Sequence, residues 1–183
     1  MYGLIHNGLK SMIVEKFGEN QWHKVLSTSG VSEDSFLTMS CYDDSITYSL
    51  LGPVSDVLGA PLEACLEMFG EYFILEIATK SYDQLLNATG QDMIEFLSNT
   101  NALHDRITST FHNYTPPEFF LETKENHHLL HYLSQREGLT PFVVGLIKGI
   151  AKRFDSTVTI ISQSEVPSDH GEHTIFELEI GTT

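Results

Sequence analysis

Along the first two-thirds of the chain, apolar residues recur every three to four positions, the repeat of helices with one buried face. Leu4, Ile5, Leu9, Met12, Ile13 and Phe17 follow it between Tyr2 and Phe17, and Gly18 supplies a stop. A short helix is expected from Glu19 to Leu26. Beyond a loop around Asp34 to Cys41, the side chains of Asp43, Asp44 and Ser45 offer capping oxygens for a helix through Val57. It should be broken or kinked near Gly52-Pro53 and ended by Gly59. Pro61 opens a helix to about Thr79 that is apolar nearly all round, through Leu62, Cys65, Leu66, Phe69, Phe73, Ile74 and Ile77, so it should be buried and line any cavity. Tyr82 to Asn87 reads as a short helix. Asp92 to about Phe111 reads as a longer one, with Met93, Phe96, Leu97, Leu103, Ile107 and Phe111 on one stripe and His104 beside it.

Thr115-Pro116-Pro117 ends helical structure and turns the chain toward extended conformation. The period then changes from helical to two. Glu118 to Thr123, His128 to Gln135, Thr157 to Ser162 and His173 to Ile180 carry the alternating, aromatic or β-branched patterns of strands, with one helix from about Thr140 to Phe154. The expected fold class is α+β, a helical N-terminal lobe packed on a four-stranded antiparallel sheet lobe, in one domain over residues 1–183. There is no internal repeat and no low-complexity tract.

Ten basic residues against twenty-five acidic ones give a net charge of −15, which repels phosphate backbones and anionic lipid surfaces. No nucleic-acid or membrane partner is expected. The longest apolar runs, such as Tyr72 to Leu75 and Pro141 to Ile147, fall far short of the roughly 20 residues a membrane helix needs, and the start of the chain lacks a secretory pattern. Cys41 and Cys65 show neither metal spacing nor a disulfide framework, which fits a reducing cytoplasm.

Candidate chemistry concentrates late in the sequence. In Tyr132-Leu133-Ser134-Gln135-Arg136, alternation along a strand puts Tyr132, Ser134 and Arg136 on one face, so two hydroxyls and a guanidinium converge in a geometry suited to carboxylates. A histidine on a helix facing the same cavity, His104, would supply the axial nitrogen that a carboxylate-bearing iron macrocycle requires. Each signal alone reads as readily as a core histidine or a surface strand; together they point to haem. The cluster His127, His128 and His131, and the His170-x-x-His173 spacing, make zinc conceivable, although alternation puts His128 and His131 on opposite faces. No nucleophile elbow, phosphate loop or paired-carboxylate motif is present, so no enzyme is expected.

Met1-Tyr2-Gly3, Tyr42-Asp43-Asp44, Phe69-Gly70-Glu71, Leu103-His104, Pro116-Pro117, Tyr132 to Leu139 and Gly145-Leu146 together make the chain resemble, over essentially its whole length, the haem nitric oxide/oxygen binding (H-NOX) family. The family includes the sensor domain of the soluble guanylate cyclase β subunit. The resemblance implies haem b (iron protoporphyrin IX) between a distal helical subdomain, about residues 1–60, and a proximal subdomain with the sheet, about 61–183. By the same resemblance His104 is the iron ligand, Tyr132, Ser134 and Arg136 hold the propionates, and Pro117 presses the macrocycle out of plane. Ile5, Leu9, Phe73, Leu146 and Ile74 would approach the distal face. Counting back from Gly145, the tyrosine that stabilises oxygen in some members is replaced by Phe142, which has no donor.

The function so implied is a gas sensor that binds nitric oxide, and carbon monoxide as a further ligand, at five-coordinate ferrous haem. Rupture of the iron–histidine bond would shift the helical lobe against the sheet. Tyr72 or Tyr2 turning into the pocket is the route by which oxygen binding could return. The expected partner is a separate histidine kinase or cyclic-dinucleotide enzyme, unless the chain is a sensor domain of a larger cyclase. The alternatives are an oxygen-binding haem protein and a haem-free protein-interaction module.

Overall fold

The computed structural model describes residues 1–32, 36–38, 40–110, 115–125, 127–169 and 171–182; Asp34, Phe111 and His170 lie outside the described residues. Helix α1 (Gly3–Phe17) carries Leu9, Met12 and Ile13 into the core as its periodicity requires. Helix α2 (Glu19–Ser29) runs three residues past the expected Leu26, because Ser27 and Ser29 hydroxyls bond back to the carbonyls of Lys24 and Leu26 and Gly30, at φ 70°, ends it. Helix α3 (Asp44–Leu58) is capped by Asp43, whose side chain accepts from the Ser45 amide at 2.9 Å. The break expected at Gly52-Pro53 is absent: Pro53 sits inside a continuous helix, bracketed by buried Leu50, Leu51 and Val54. Packing there outweighs the hydrogen bond that proline removes.

The helix from Pro61 and the separate one expected from Tyr82 meet at a kink: α4 (Leu62–Tyr72) continues through a π-helical stretch (Phe73–Ala78) into α5 (Thr79–Asn87), where the backbone leaves the helical region at Tyr82, with φ −136° and ψ 27°. A π turn widens the helix and changes which side chains share a face, which a 3.6-residue pattern cannot display. Conversely, the helix expected over Asp92–Phe111 is two: α6 (Met93–Ser98), capped by Asp92, and α7 (Thr100–Thr110). Between them Asn99 turns its amide to the Thr89 carbonyl at 2.9 Å.

Strands β1 (Glu118–Thr123) and β2 (His128–Ser134), helix α8 (Thr140–Arg153), and strands β3 (Ser156–Glu165) and β4 (Glu172–Thr182) complete the α+β fold. The sheet is antiparallel in the order β1-β2-β4-β3, with Tyr132 between Phe119 and Thr174. Leu130, Tyr132 and Ser134 share a buried face with Phe176 and Leu178. One apolar cluster joins α1 to α4 around Trp22, Leu50 and Phe69, a second joins α6, α8 and the sheet, and Phe73 packs on both. Among the described residues, no helix is long and apolar enough to cross a membrane.

Helices α4 and α8 cross at glycines. A Cβ on Gly145 would run into the Glu67 carbonyl oxygen, and one on Gly70 into that of Phe142. Neither obstacle is a side chain that can swing away, so the helix axes would have to separate. Gly145→Ala is therefore expected to destabilise by about 1–3 kcal/mol, lowering the thermal midpoint by roughly 2–4 °C per kcal/mol. An unchanged melting curve would refute this packing.

Candidate functional site

Between the two apolar clusters lies a cavity of about 490 Å³, within the roughly 300–1,000 Å³ common for small-molecule sites. Its wall brings together residues separated by up to 149 positions, from Met1 to Ile150. His104, Pro117, Tyr132, Ser134 and Arg136 line it, and so do Ile5, Leu9, Phe73, Ile74, Phe142 and Leu146. Every residue that the family resemblance set against the haem thus borders a single space.

His104 is presented by α7, which is clasped to β1 by one side chain. The Asn101 amide donates to the Phe119 carbonyl at 2.6 Å while its oxygen accepts from the Phe119 amide at 2.8 Å. One turn on, His104 Nδ1 lies 3.1 Å from the Pro117 carbonyl. A carbonyl only accepts, so Nδ1 carries the proton and Nε2 keeps its lone pair, the arrangement found in histidines that ligate metals. Burial pushes the His104 pKa below the ordinary imidazole value, although the Pro117 bond works against this, so the ring is neutral at physiological pH. The ring also tilts against Phe119, with centroids 5.9 Å apart.

On β2 the Tyr132 hydroxyl is bonded to Ser134, and burial pushes its pKa up to about 12, so it stays a neutral donor. Ser134 Oγ accepts from the Arg136 amide at 3.0 Å, shaping the turn that follows the strand. Arg136 Nη1 donates to the Thr115 carbonyl at 2.9 Å, tying the guanidinium to the segment that ends in Pro117. Its Nε forms an ion pair with Asp44 Oδ2 at 2.9 Å. Asp44 also takes the Met1 amino group at 2.6 Å. Burial raises the Asp44 pKa, but the bonds from Met1 and Arg136 more than offset this and hold it below the usual carboxylate range.

Across the cavity, Phe142 packs on Phe69 and Phe73 with centroids 5.0 and 6.1 Å away. Tyr72 does not face this space: its hydroxyl donates to Glu15 at 2.6 Å, on a separate surface hollow beside Lys16 and Glu71. Tyr2 does border the cavity.

Two residues were missed in the sequence, one bonded to Arg136 and one on the cavity wall. Asp44 was taken as one of three capping candidates, yet Asp43 alone caps α3; an Asp-Asp pair at a helix start, where one cap suffices, is the signal that could have released Asp44 for another role. His6 is fully buried on α1 and bonded through Nε2 to Thr47 Oγ1 at 2.8 Å. Its position between Ile5 and Asn7 carries no sequence mark that separates it from a core residue.

Residues 2–162 match the family model described as haem-NO-binding. The chain belongs to the haem-NO-binding family. Its relatives include the soluble guanylate cyclases gcy-32 and gcy-31 of Caenorhabditis elegans, 32% and 30% identical over 96% and 97% of this chain. The chain spans only about a quarter of those relatives, 28% and 26% of their length. An unliganded Fe(II) H-NOX protein from K. algicida superposes with a TM-score of 0.85 at 24% identity, covering 100% of this chain and 98% of that one. An H-NOX protein from S. oneidensis in the Fe(II)NO state gives 0.83 at 21% identity, with both chains covered completely. At those identities the likeness establishes the fold of this haem-NO-binding chain.

Among the described residues, the histidines other than His6 and His104 do not line the cavity. His131 Nδ1 is 3.1 Å from His173 Nε2, and His131 Nε2 is 3.6 Å from Glu122. No group of three or more metal-ligating side chains is found among the described residues.

Proposed function

We propose that this chain is a haem-based nitric oxide sensor. The observation that carries the reading is His104, its Nδ1–H fixed on the Pro117 carbonyl and its neutral ring bordering a cavity whose other wall is apolar at Phe142. The residues fit haem b on chemical grounds: a donor nitrogen freed by the other ring nitrogen's bond, a strand offering a neutral hydroxyl and a serine, and in the bend beyond it an arginine on the cavity wall. When bound, haem supplies an iron with one position open to a diatomic gas.

The chain's own residues then set selectivity and output. His104 Nε2 would hold the iron, and Tyr132, Ser134 and Arg136 the propionates, with Arg136 exchanging part of its tie to Asp44 for them. Pro117 would press on the macrocycle. Bound oxygen acquires negative charge and needs a donor; nitric oxide does not. With Phe142 in place of a hydroxyl, and Ile5, Leu9, Phe73 and Leu146 around it, the wall favours nitric oxide. Release of His104 would free α7 to move against β1 and Pro117, working the Asn101 clasp on Phe119, and the Thr115–Arg136–Asp44 chain of contacts would extend that movement to the start of α1 and α3. In this reading the moving boundary runs between a distal helical subdomain, about residues 1–60, and a proximal one with the sheet, about 61–183. Because the relatives named above are guanylate cyclases, a cyclase output is favoured over a separate histidine kinase or cyclic-dinucleotide enzyme. Exposing the ferrous protein to air tests the reading: rapid oxidation without a lasting oxygen complex is expected, and a stable oxygen spectrum would overturn the selectivity.

Arg136→Met keeps the length of the side chain but removes the guanidinium. Loss of one charge-assisted bond of roughly 1.5 kcal/mol corresponds to about tenfold weaker haem retention. Transfer of haem to an acceptor apoprotein measures it; an unchanged transfer rate would remove Arg136 from the propionate set.

A further inference from the structure

Behind the cavity wall, where the strand that carries Ser134 meets the start of α8, stands a carboxyl group that the sensing scheme does not use. Glu172 opens β4 and pairs with Ser134 of β2. The chain comes this close because Gly171, at φ 110°, has no side chain; a Cβ there would run into the Ser134 carbonyl oxygen. Ser134, Arg136, Leu139 and Phe142 line the cavity, and Glu172 supports them from the far side.

Its carboxylate is the cap that α8 lacks locally. Leu139, at the N-cap position, makes no side-chain bond to the helix, and Pro141 brings no N–H. Glu172 Oε1 instead accepts from the hydroxyl of Thr140, with the Thr174 hydroxyl at 3.5 Å and the two threonine oxygens 3.1 Å apart. Both threonines are buried. Burial pushes the Glu172 pKa up and the charge on Glu165 adds to the rise, while bonds from the Gly138 and Leu139 amides and from Thr174 work against it by favouring the carboxylate. A negative charge at a helix N-terminus gains from the helix dipole as well. One side chain thus ties the end of β2 to the first turn of α8, and Phe142 follows Thr140 by two residues on that turn.

We propose that Glu172 is a positioning residue for the gas site: it holds the first turn of α8, and with it the Phe142 ring, in register with the strand end that carries Ser134. A shift of Ser134 and Arg136 is thereby passed to Phe142, so that events at the haem carboxylates alter the wall that meets the gas. This rests on the haem reading above. Thr140 is the partner through which Glu172 acts.

The test times release of carbon monoxide from the ferrous parent, Glu172→Ala, Glu172→Gln, Phe142→Ala and the Glu172→Ala/Phe142→Ala pair. Glu172→Ala is expected to speed release by about twofold or more, the size at which coupling through contacts becomes measurable. Glu172→Gln keeps an oxygen that accepts from Thr140 and should recover most of the parent's rate. With Phe142→Ala already present, Glu172→Ala should add nothing, because the ring it positions is gone. Equal acceleration in both backgrounds, or none in either, would overturn the proposal, as would a lowered melting temperature with parent-like release. The tie itself is read without haem from hydrogen exchange at the Val143 amide, which bonds the Leu139 carbonyl at 3.2 Å. It should exchange faster in Glu172→Ala than in the parent; equal exchange would refute the tie. If Glu172→Ala does not fold, Thr140→Val removes the same bond and takes its place in both measurements. Failure of the parent to take up haem would overturn the underlying reading, and this inference with it; haem uptake with release indifferent to Glu172 would overturn this inference alone.

Discussion

His104→Gly is expected to remove the nitrogen assigned to the iron and to loosen haem by more than the roughly 10–100-fold that loss of an outer partner of such a histidine costs. Its one bond within the protein, at 3.1 Å to the Pro117 carbonyl, serves orientation, so the substitution subtracts the ligand without opening the clasp that Asn101 makes on Phe119. Free imidazole can occupy the space vacated and restore the axial nitrogen while remaining unattached to α7. The variant with imidazole should therefore reproduce the parent's ferrous spectrum yet behave toward an output partner as the state in which His104 has let go. Haem titration and partner assays with and without imidazole measure the two effects. Parent-like haem affinity and an unaltered spectrum without imidazole would exclude His104 as the ligand.

Phe142→Tyr should convert the gas preference. Position 142 lies in the first turn of α8, on the cavity wall and packed against Phe69 and Phe73. Adding a hydroxyl there supplies the donor that a negatively polarised oxygen ligand lacks, worth roughly 1.5–3 kcal/mol, or one to two decades in oxygen affinity. Nitric oxide affinity should change far less, since that ligand gains little from a donor. Spectra taken during exposure to air, followed by oxygen dissociation kinetics, check both halves. An oxygen complex as short-lived as the parent's would show that position 142 does not face the gas.

The helical lobe and the sheet were legible because each has a period of its own. Alternation along β2 set Tyr132 and Ser134 on one face; the strand stops at Ser134, so Arg136, expected to share that face, stands in the bend beyond it, yet it lines the cavity with the other two and His104. What the pattern could not carry were departures from ideal helices. The π turn at Phe73–Ala78 keeps an apolar sequence while changing its face, Pro53 is held helical by neighbours distant in sequence, and Asn99 divides α6 from α7 by a bond to Thr89. Tyr72 was a candidate distal donor for want of knowledge that Glu15, fifty-seven positions earlier, takes its hydroxyl. His6 and Asp44 escaped notice for a related reason: their roles depend on partners at Thr47 and Arg136 that only the folded chain brings near.

The most direct test of the central claim is the absorbance spectrum of the purified ferrous protein before and after addition of nitric oxide. The expected result is a haem band in the unliganded protein that moves on adding the gas, and that is lost or altered in His104→Gly until imidazole is supplied. Absence of any haem band after reconstitution, or a band that nitric oxide leaves unmoved, would contradict it.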